Sequence, residues 1–229
     1  MKNSEVLEVT YGAIIWDLDG TIIDSGRAGL ARFFIVARQR GLPITPEIEQ
    51  DVMNKWGQHP RKLVESAWPE ENFDEFYADW VKYDSIHPHR LLEGANSLIS
   101  ELASWGFYQA VSTSRSRVTT LKQLNHNGLT LYFNRIVCND DTNYKKPDPR
   151  SCETIVQDLK ERIENYPEYA LYVGDSMTDY ELACALGVRP ILILAGSLST
   201  REEFIASGVP EDNILDSIQA LSDLLDADL

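Results

Sequence analysis

Apolar residues in this chain gather into short unbroken runs, with stretches of helical spacing between them. Five runs read as strands, over residues 12–16, 108–111, 135–138, 170–173 and 190–194. Runs without polar alternation suit strands buried on both faces of a parallel sheet. Between the first two, Ala95, Leu98, Ile99, Leu102 and Ala103 fall at the i, i+3, i+4 spacing of one helix face. Strand and helix in alternation predict an α/β fold, a doubly wound parallel sheet with helices on both sides.

The alternation stops between residues 24 and 91. Helical spacing runs over 29–40, 46–56, 61–68 and 73–83, with no strand among them. Turn-forming residues punctuate the edges, Ser25-Gly26 on one side and His87-Pro88-His89 on the other. The pattern predicts a small all-helical domain at 24–91, inserted just after the first strand of a core made of 1–23 and 92–229. An insertion at that point is expected to sit over the strand ends and act as a lid. Near the C-terminus, Thr200-Arg201-Glu202-Glu203 has the pattern of a capping box, and 216–225 reads as a final amphipathic helix.

Composition narrows the classes of function. The 229 residues carry 21 basic and 36 acidic side chains, a net charge of −15 that repels nucleic acid and anionic membrane surfaces. The apolar share of 43% and charged share of 25% are those of an ordinary globular protein. No apolar run approaches the roughly 20 residues of a transmembrane helix, and Met1-Lys2-Asn3-Ser4-Glu5 has no signal-peptide character. Cys138, Cys152 and Cys184 form no CxxC pair, which speaks against a zinc site or a disulfide framework. A cytoplasmic monomer or homodimer with buried free thiols is expected, with no nucleic-acid or membrane partner.

The chemistry lies at the strand ends, where ligands bind in open α/β sheets. The first run leads straight into Asp17-Leu18-Asp19-Gly20-Thr21. Two acids there are costly unless they bind a cation or carry chemistry. A calcium loop would need glycine at its sixth place; Gly20 comes too early. The fourth run leads into Gly174-Asp175-Ser176, with Asp179 four residues after Asp175. Such a set of carboxylates suits Mg²⁺ better than softer metals. At Asp179 an acid in the first turn of a helix also suits the helix dipole. Lys145-Lys146-Pro147-Asp148-Pro149 is a loop stiffened by prolines. Its Lys146 is either a solvated lysine or the counter-charge to the acids. Ser112-Thr113-Ser114 follows the second run, and its hydroxyls suit either helix caps or a phosphate nest.

Taken in order, Asp17-Leu18-Asp19-Gly20-Thr21, Thr113-Ser114, Lys146-Pro147 and Gly174-Asp175-Ser176 with Asp179 resemble the haloacid dehalogenase-like (HAD) hydrolase superfamily over nearly the whole chain. The helical insertion resembles the cap of the branch that contains phosphoglycolate phosphatases. The resemblance implies a Rossmann-like core and a Mg²⁺-dependent phosphatase acting on a small phosphorylated metabolite. Asp17 would be the nucleophile that becomes an aspartyl-phosphate, and its other carboxylate oxygen would bind Mg²⁺. Asp19 would be the general acid and then base, with its backbone carbonyl on the metal. Thr113 and Lys146 would hold the phosphoryl oxygens, and Ser112 is a lesser candidate for the hydroxyl. Asp175 would complete the metal shell and Asp179 would support it. Gly20 and Thr21 would shape the phosphate turn. Ser114 stands where the branch often has Asn, so an amide contact to substrate is not implied.

In the insertion, Trp56-Gly57-Gln58-His59-Pro60-Arg61-Lys62 looks like a loop aimed at the site, with His59 and Arg61 as substrate contacts and Gln58 and Lys62 beside them; a plain solvated loop fits the same residues. A phosphomutase acting on sugar phosphates is the alternative within the superfamily. A 2-haloacid dehalogenase is disfavoured because it lacks the second acid that Asp19 supplies, and intact acids disfavour a non-catalytic binding protein. A P-loop enzyme is not indicated, since no GxxxxGK[ST] occurs.

Overall fold

The run Ala13–Trp16 forms β1, a central strand of the sheet in the computed structural model, which describes residues 12–56 and 60–227. All four of its residues are fully buried, as a strand covered on both faces requires. The other strands are β2 (Tyr108–Ser112), β3 (Arg135–Val137), β4 (Ala170–Gly174), β5 (Arg189–Ile193) and β6 (Ile214–Leu215). They pair in parallel in the order β3-β2-β1-β4-β5-β6. All five expected strands are present. The sixth was missed because a two-residue strand is too short to show a period.

Alternate residues of β1 enter different cores. Ile14 and Trp16 pack on one face with Leu98, Ile99 and Leu102 of the helix Ala95–Ser104. Ala13 and Ile15 pack on the other with Ile155 and Leu159 of the helix Glu153–Arg162 and with Leu182 and Ala183 of the helix Met177–Leu186. Burying each large aliphatic side chain contributes about 1.5–3 kcal/mol. A buried amide side chain on β2, beside β1, is satisfied. Gln109 accepts from Trp16 Nε1 at 3.1 Å and donates to the Ile99 carbonyl at 2.9 Å. Thr200 and Glu203 form the expected capping box on the helix Arg201–Ala206.

The chain divides into two compact units, Met1–Asp24 with Arg90–Leu229, and Ser25–His89. The second unit is helical throughout: Gly26–Gln39, Pro46–Lys55, Pro60–Ala67 and Phe73–Ile86. Its core gathers aromatic rings around Phe33, with Phe76 at 5.0 Å, Trp80 at 5.3 Å and Trp68 at 5.6 Å between centroids. On its surface Arg40 pairs with Glu71, Glu75 and Asp79. Among the described residues no helix is long and apolar enough to cross a membrane.

Candidate active site

Sheet register brings three loops level. Trp16 lies opposite Val111 of β2 and Val173 of β4, so the residues that follow these strands emerge at one carboxyl edge. The Asp17 N–H still donates to the Val173 carbonyl at 2.8 Å, and the Thr113 N–H donates to the Val137 carbonyl at 3.0 Å. The backbones of both residues are therefore fixed by the ladder while their side chains lie past its end.

Asp17, Asp175 and Asp179 each bring a carboxylate oxygen into one group in which these atoms lie within 4.8 Å of one another. Lys146 sits among them. Its Nζ donates to Asp17 Oδ1 at 2.7 Å and to Asp179 Oδ1 at 2.9 Å. Asp179 lies in the first turn of the helix Met177–Leu186, where Ser176 Oγ donates to its Oδ2 at 2.6 Å and the Asp175 N–H reaches the same oxygen at 3.3 Å. Tyr172 Oη donates to Asp179 Oδ1 at 3.3 Å, and Lys146 Nζ lies 5.3 Å from the centre of the Tyr172 ring. Backbone conformation makes room for this crowding. Gly20 has φ of 75°, and a Cβ there would collide with the Asp175 carboxylate.

Charge in this group is unbalanced. Burial pushes the Asp17 carboxyl up to about 7, and the pull of Lys146 offsets this only in part. Burial, then repulsion from Asp179 and Asp17, raises Asp175 well above the usual carboxylate range. Burial would pull the Lys146 ammonium down, but attraction to Asp17 and Asp179 outweighs it and holds the proton more tightly than in water. Two buried acids, Asp17 and Asp179, and the partly buried Asp175 share one buried cation, and the remaining negative charge calls for another positive one.

Asp19 stands apart from the group. Its Oδ2 accepts from Arg115 Nε at 3.0 Å and its Oδ1 from Arg115 Nη2 at 2.5 Å. Thr113 is buried, and its Oγ1 accepts the Arg115 N–H at 3.1 Å. The Ser112 hydroxyl faces Cys152 Sγ at 3.2 Å instead. Ser114 is exposed, and with Thr113, Asn139, Lys146 and Ser151 it lines a small polar cavity. Thr21 Oγ1 is fully buried and without a hydrogen-bond partner among the described residues. Arg61 lies in the helical unit, paired with Asp74 at 3.1 Å and Glu65 at 3.6 Å and set over the Phe73 ring. His59 and Gln58 fall outside the described residues.

A family model described as haloacid dehalogenase-like hydrolase matches residues 14–193. The chain belongs to the haloacid dehalogenase-like hydrolase family. Its relatives place it among the family's phosphatases, in the phosphoglycolate-phosphatase-like branch. It is 30% identical over 195 residues to a phosphoglycolate phosphatase of Rhodobacter capsulatus, covering 82% of this chain and 86% of that protein. It is 25% identical over 225 residues to the pyrophosphatase PpaX of Halalkalibacterium halodurans, covering 93% and 95%. The fold is shared with the Bacillus subtilis protein YfnB, assigned as a HAD-hydrolase and crystallised with magnesium: TM-score 0.73, 20% identity, 95% of this chain and 99% of that one.

Two residues of this HAD-like site were not found in the sequence. Arg115 reads there as one more basic residue in a loop, and Tyr172 as part of an apolar strand. An alternation of Tyr with small and branched residues in β4 gives no sign of a hydroxyl turned toward an acid. Only the fold brings either one to its partner.

Proposed function

We propose that this HAD-like phosphatase hydrolyses a small phosphate monoester through an aspartyl-phosphate on Asp17, with Mg²⁺ as its metal. The observation that carries the reading is the largely buried trio of acids around Lys146 at the carboxyl edge of the sheet. Its donors are all hard carboxylate oxygens and its charge is short of positive, so the residues present fit a divalent cation of the Mg²⁺ type. Asp17, Asp175 and Asp179 would hold the metal, with the Asp19 backbone carbonyl as a further ligand. When bound, Mg²⁺ supplies positive charge that shields the phosphoryl oxygens from the attacking carboxylate.

In the first step an Asp17 carboxylate oxygen attacks phosphorus and the ester P–O bond breaks. Asp19 gives its proton to the departing alcohol oxygen. Lys146 and the Thr113 hydroxyl hold the phosphoryl oxygens, and the ammonium offsets the negative charge carried into the transition state. In the second step Asp19 takes a proton from water, the water oxygen attacks phosphorus, and the bond to Asp17 breaks. Phosphate leaves, the Asp17 carboxylate is restored and Asp19 is again protonated. Gly20, Thr21 and Ser114 shape the phosphate end of the site. Residues 24–91 serve as the cap domain that selects the substrate, with Arg61 and His59 as its contacts.

Replacing Asp17 by Asn keeps the shape and removes the nucleophile. Asp17→Asn is expected to abolish turnover of p-nitrophenyl phosphate in Mg²⁺, and rapid quench of the unaltered protein should trap one phosphoryl group on Asp17. Retained turnover in the variant, or a hexose 1-phosphate converted to its isomer without release of phosphate, overturns this function.

A further inference from the structure

We propose that Arg115 is a positioning residue for Asp19, fixing the orientation of the carboxyl group that meets the leaving alcohol; this rests on the acid and base role proposed for Asp19. The guanidinium takes Asp19 in a two-pronged grip, Nε to Oδ2 at 3.0 Å and Nη2 to Oδ1 at 2.5 Å. A fork of this kind fixes the plane of a carboxylate as well as its distance, which a lysine cannot do.

The fork is mounted on a braced backbone. The Arg115 N–H donates to Thr113 Oγ1 at 3.1 Å, and its carbonyl accepts the Asn139 N–H at 3.0 Å. Thr113 is itself tied to the end of β3 through the Val137 carbonyl. Arg115 thus refers the Asp19 side chain to the sheet along a second route, independent of the short turn that follows β1.

Asp19 needs such a route more than its neighbours do. The Asp17 side chain is 9% exposed and that of Asp179 is 3% exposed, and Lys146 grips both. The Asp19 side chain is 36% exposed and lies outside the carboxylate trio. A carboxylate at that exposure samples several rotamers unless something holds it, and a displacement of about 1 Å at a reacting group costs roughly a hundredfold in rate.

Leaving-group chemistry separates positioning from other roles. p-Nitrophenolate departs without a proton, whereas an alkoxide needs one. The ratio kcat/KM covers the steps through departure of the alcohol. Arg115→Ala is expected to lower kcat/KM for a simple alkyl phosphate about tenfold to a hundredfold and that for p-nitrophenyl phosphate less than about threefold. Arg115→Lys, which keeps the charge and loses the fork, should fall between wild type and Arg115→Ala and guards against a folding defect. In the double variant with Asp19→Asn, Arg115→Ala should add little further loss. Equal losses on both substrates, no loss, a gain on the alkyl substrate, or full additivity with Asp19→Asn would each overturn the assignment. Asp19→Asn alone reports on the underlying reading: if it shows no preference between the two leaving groups, the acid role of Asp19 fails and not the placement of Arg115.

Discussion

Two charge clusters in this protein have the same count and opposite character. In the α/β unit Lys146 stands among Asp17, Asp175 and Asp179; in the helical unit Arg40 stands among Glu71, Glu75 and Asp79. Each sets one cation against three acids. The Arg40 set lies at the surface, with the Glu75 side chain 66% exposed and that of Asp79 48% exposed, so water and salt ions balance the excess negative charge. The Lys146 set is largely buried, with only Asp175 partly exposed, and its imbalance appears instead as carboxyl groups that hold their protons too well. An identical inventory of charges is a stabilising surface patch in one place and a cation-seeking site in the other. Burial decides between them.

Of the changes that set the two clusters against each other, removing the buried cation should have the largest effect. Lys146→Met keeps much of the side-chain volume and deletes the charge. Loss of one preorganised donor to a transferring group typically costs about a hundredfold to a thousandfold, and kcat/KM for p-nitrophenyl phosphate is expected to fall by that order. Mg²⁺ should still raise the melting temperature of the variant, which verifies that the acids remain assembled. Activity within about threefold of wild type would remove Lys146 from the mechanism and leave the two clusters equivalent.

The sequence made one half of this comparison readable and hid the other. Asp17, Asp19 and Asp175 are visible because each follows an apolar run directly, where an acid has no cheap structural reason to be. Lys146 gains meaning only once three acids converge near it, since a lysine before a proline is unremarkable alone. Arg115 lies 96 residues from Asp19, and no local pattern encodes a contact made by the sheet. The Arg40 set joins a helix end to side chains some thirty to forty residues on, and reads in sequence as the ordinary charge of amphipathic helices. The parallel α/β sheet itself followed from alternation of strand and helix, except for β6, too short to register; the order of its strands did not.

An intermediate effect should appear in thermal stability without metal. The folded-state pKa of Asp17 is raised to about 7 and that of Asp175 well above its ordinary value, against about 4 for an unfolded aspartate. Between these values the folded state binds more protons than the unfolded state, so stability falls as pH rises. Asp141 and Asp158 are shifted the other way, by Arg117 and Arg135, and their stabilisation is lost only as pH falls below about 4, outside this window. In EDTA the melting temperature is expected to drop from pH 5 to pH 8. Mg²⁺ binds the deprotonated acids, so its stabilisation should be greater at pH 8 than at pH 5. Equal stabilisation at both pH values in calorimetry would mean that the trio is not the metal site.

The smallest effect tests the surface member of the pair. Arg40 hydrogen-bonds Glu71 through Nε and Nη2, at 3.0 and 2.7 Å, and Asp79 through Nη1 at 2.5 Å, yet Glu75 and Asp79 are well exposed. Exposed ion pairs of this kind contribute about 0.2–1 kcal/mol each and do not add fully. Arg40→Met should therefore cost about 1 kcal/mol, a melting-temperature loss of roughly 2–4 °C at this chain length, with kcat/KM unchanged and Mg²⁺ stabilisation intact. Raising salt to about 0.5 M should shrink the difference between the variant and wild type, because screening weakens exposed pairs far more than buried ones. A loss of several kilocalories per mole that salt leaves untouched would show that the Arg40 cluster is not balanced by solvent, and the contrast with the Lys146 site would then rest on the identity of its ligands and not on burial.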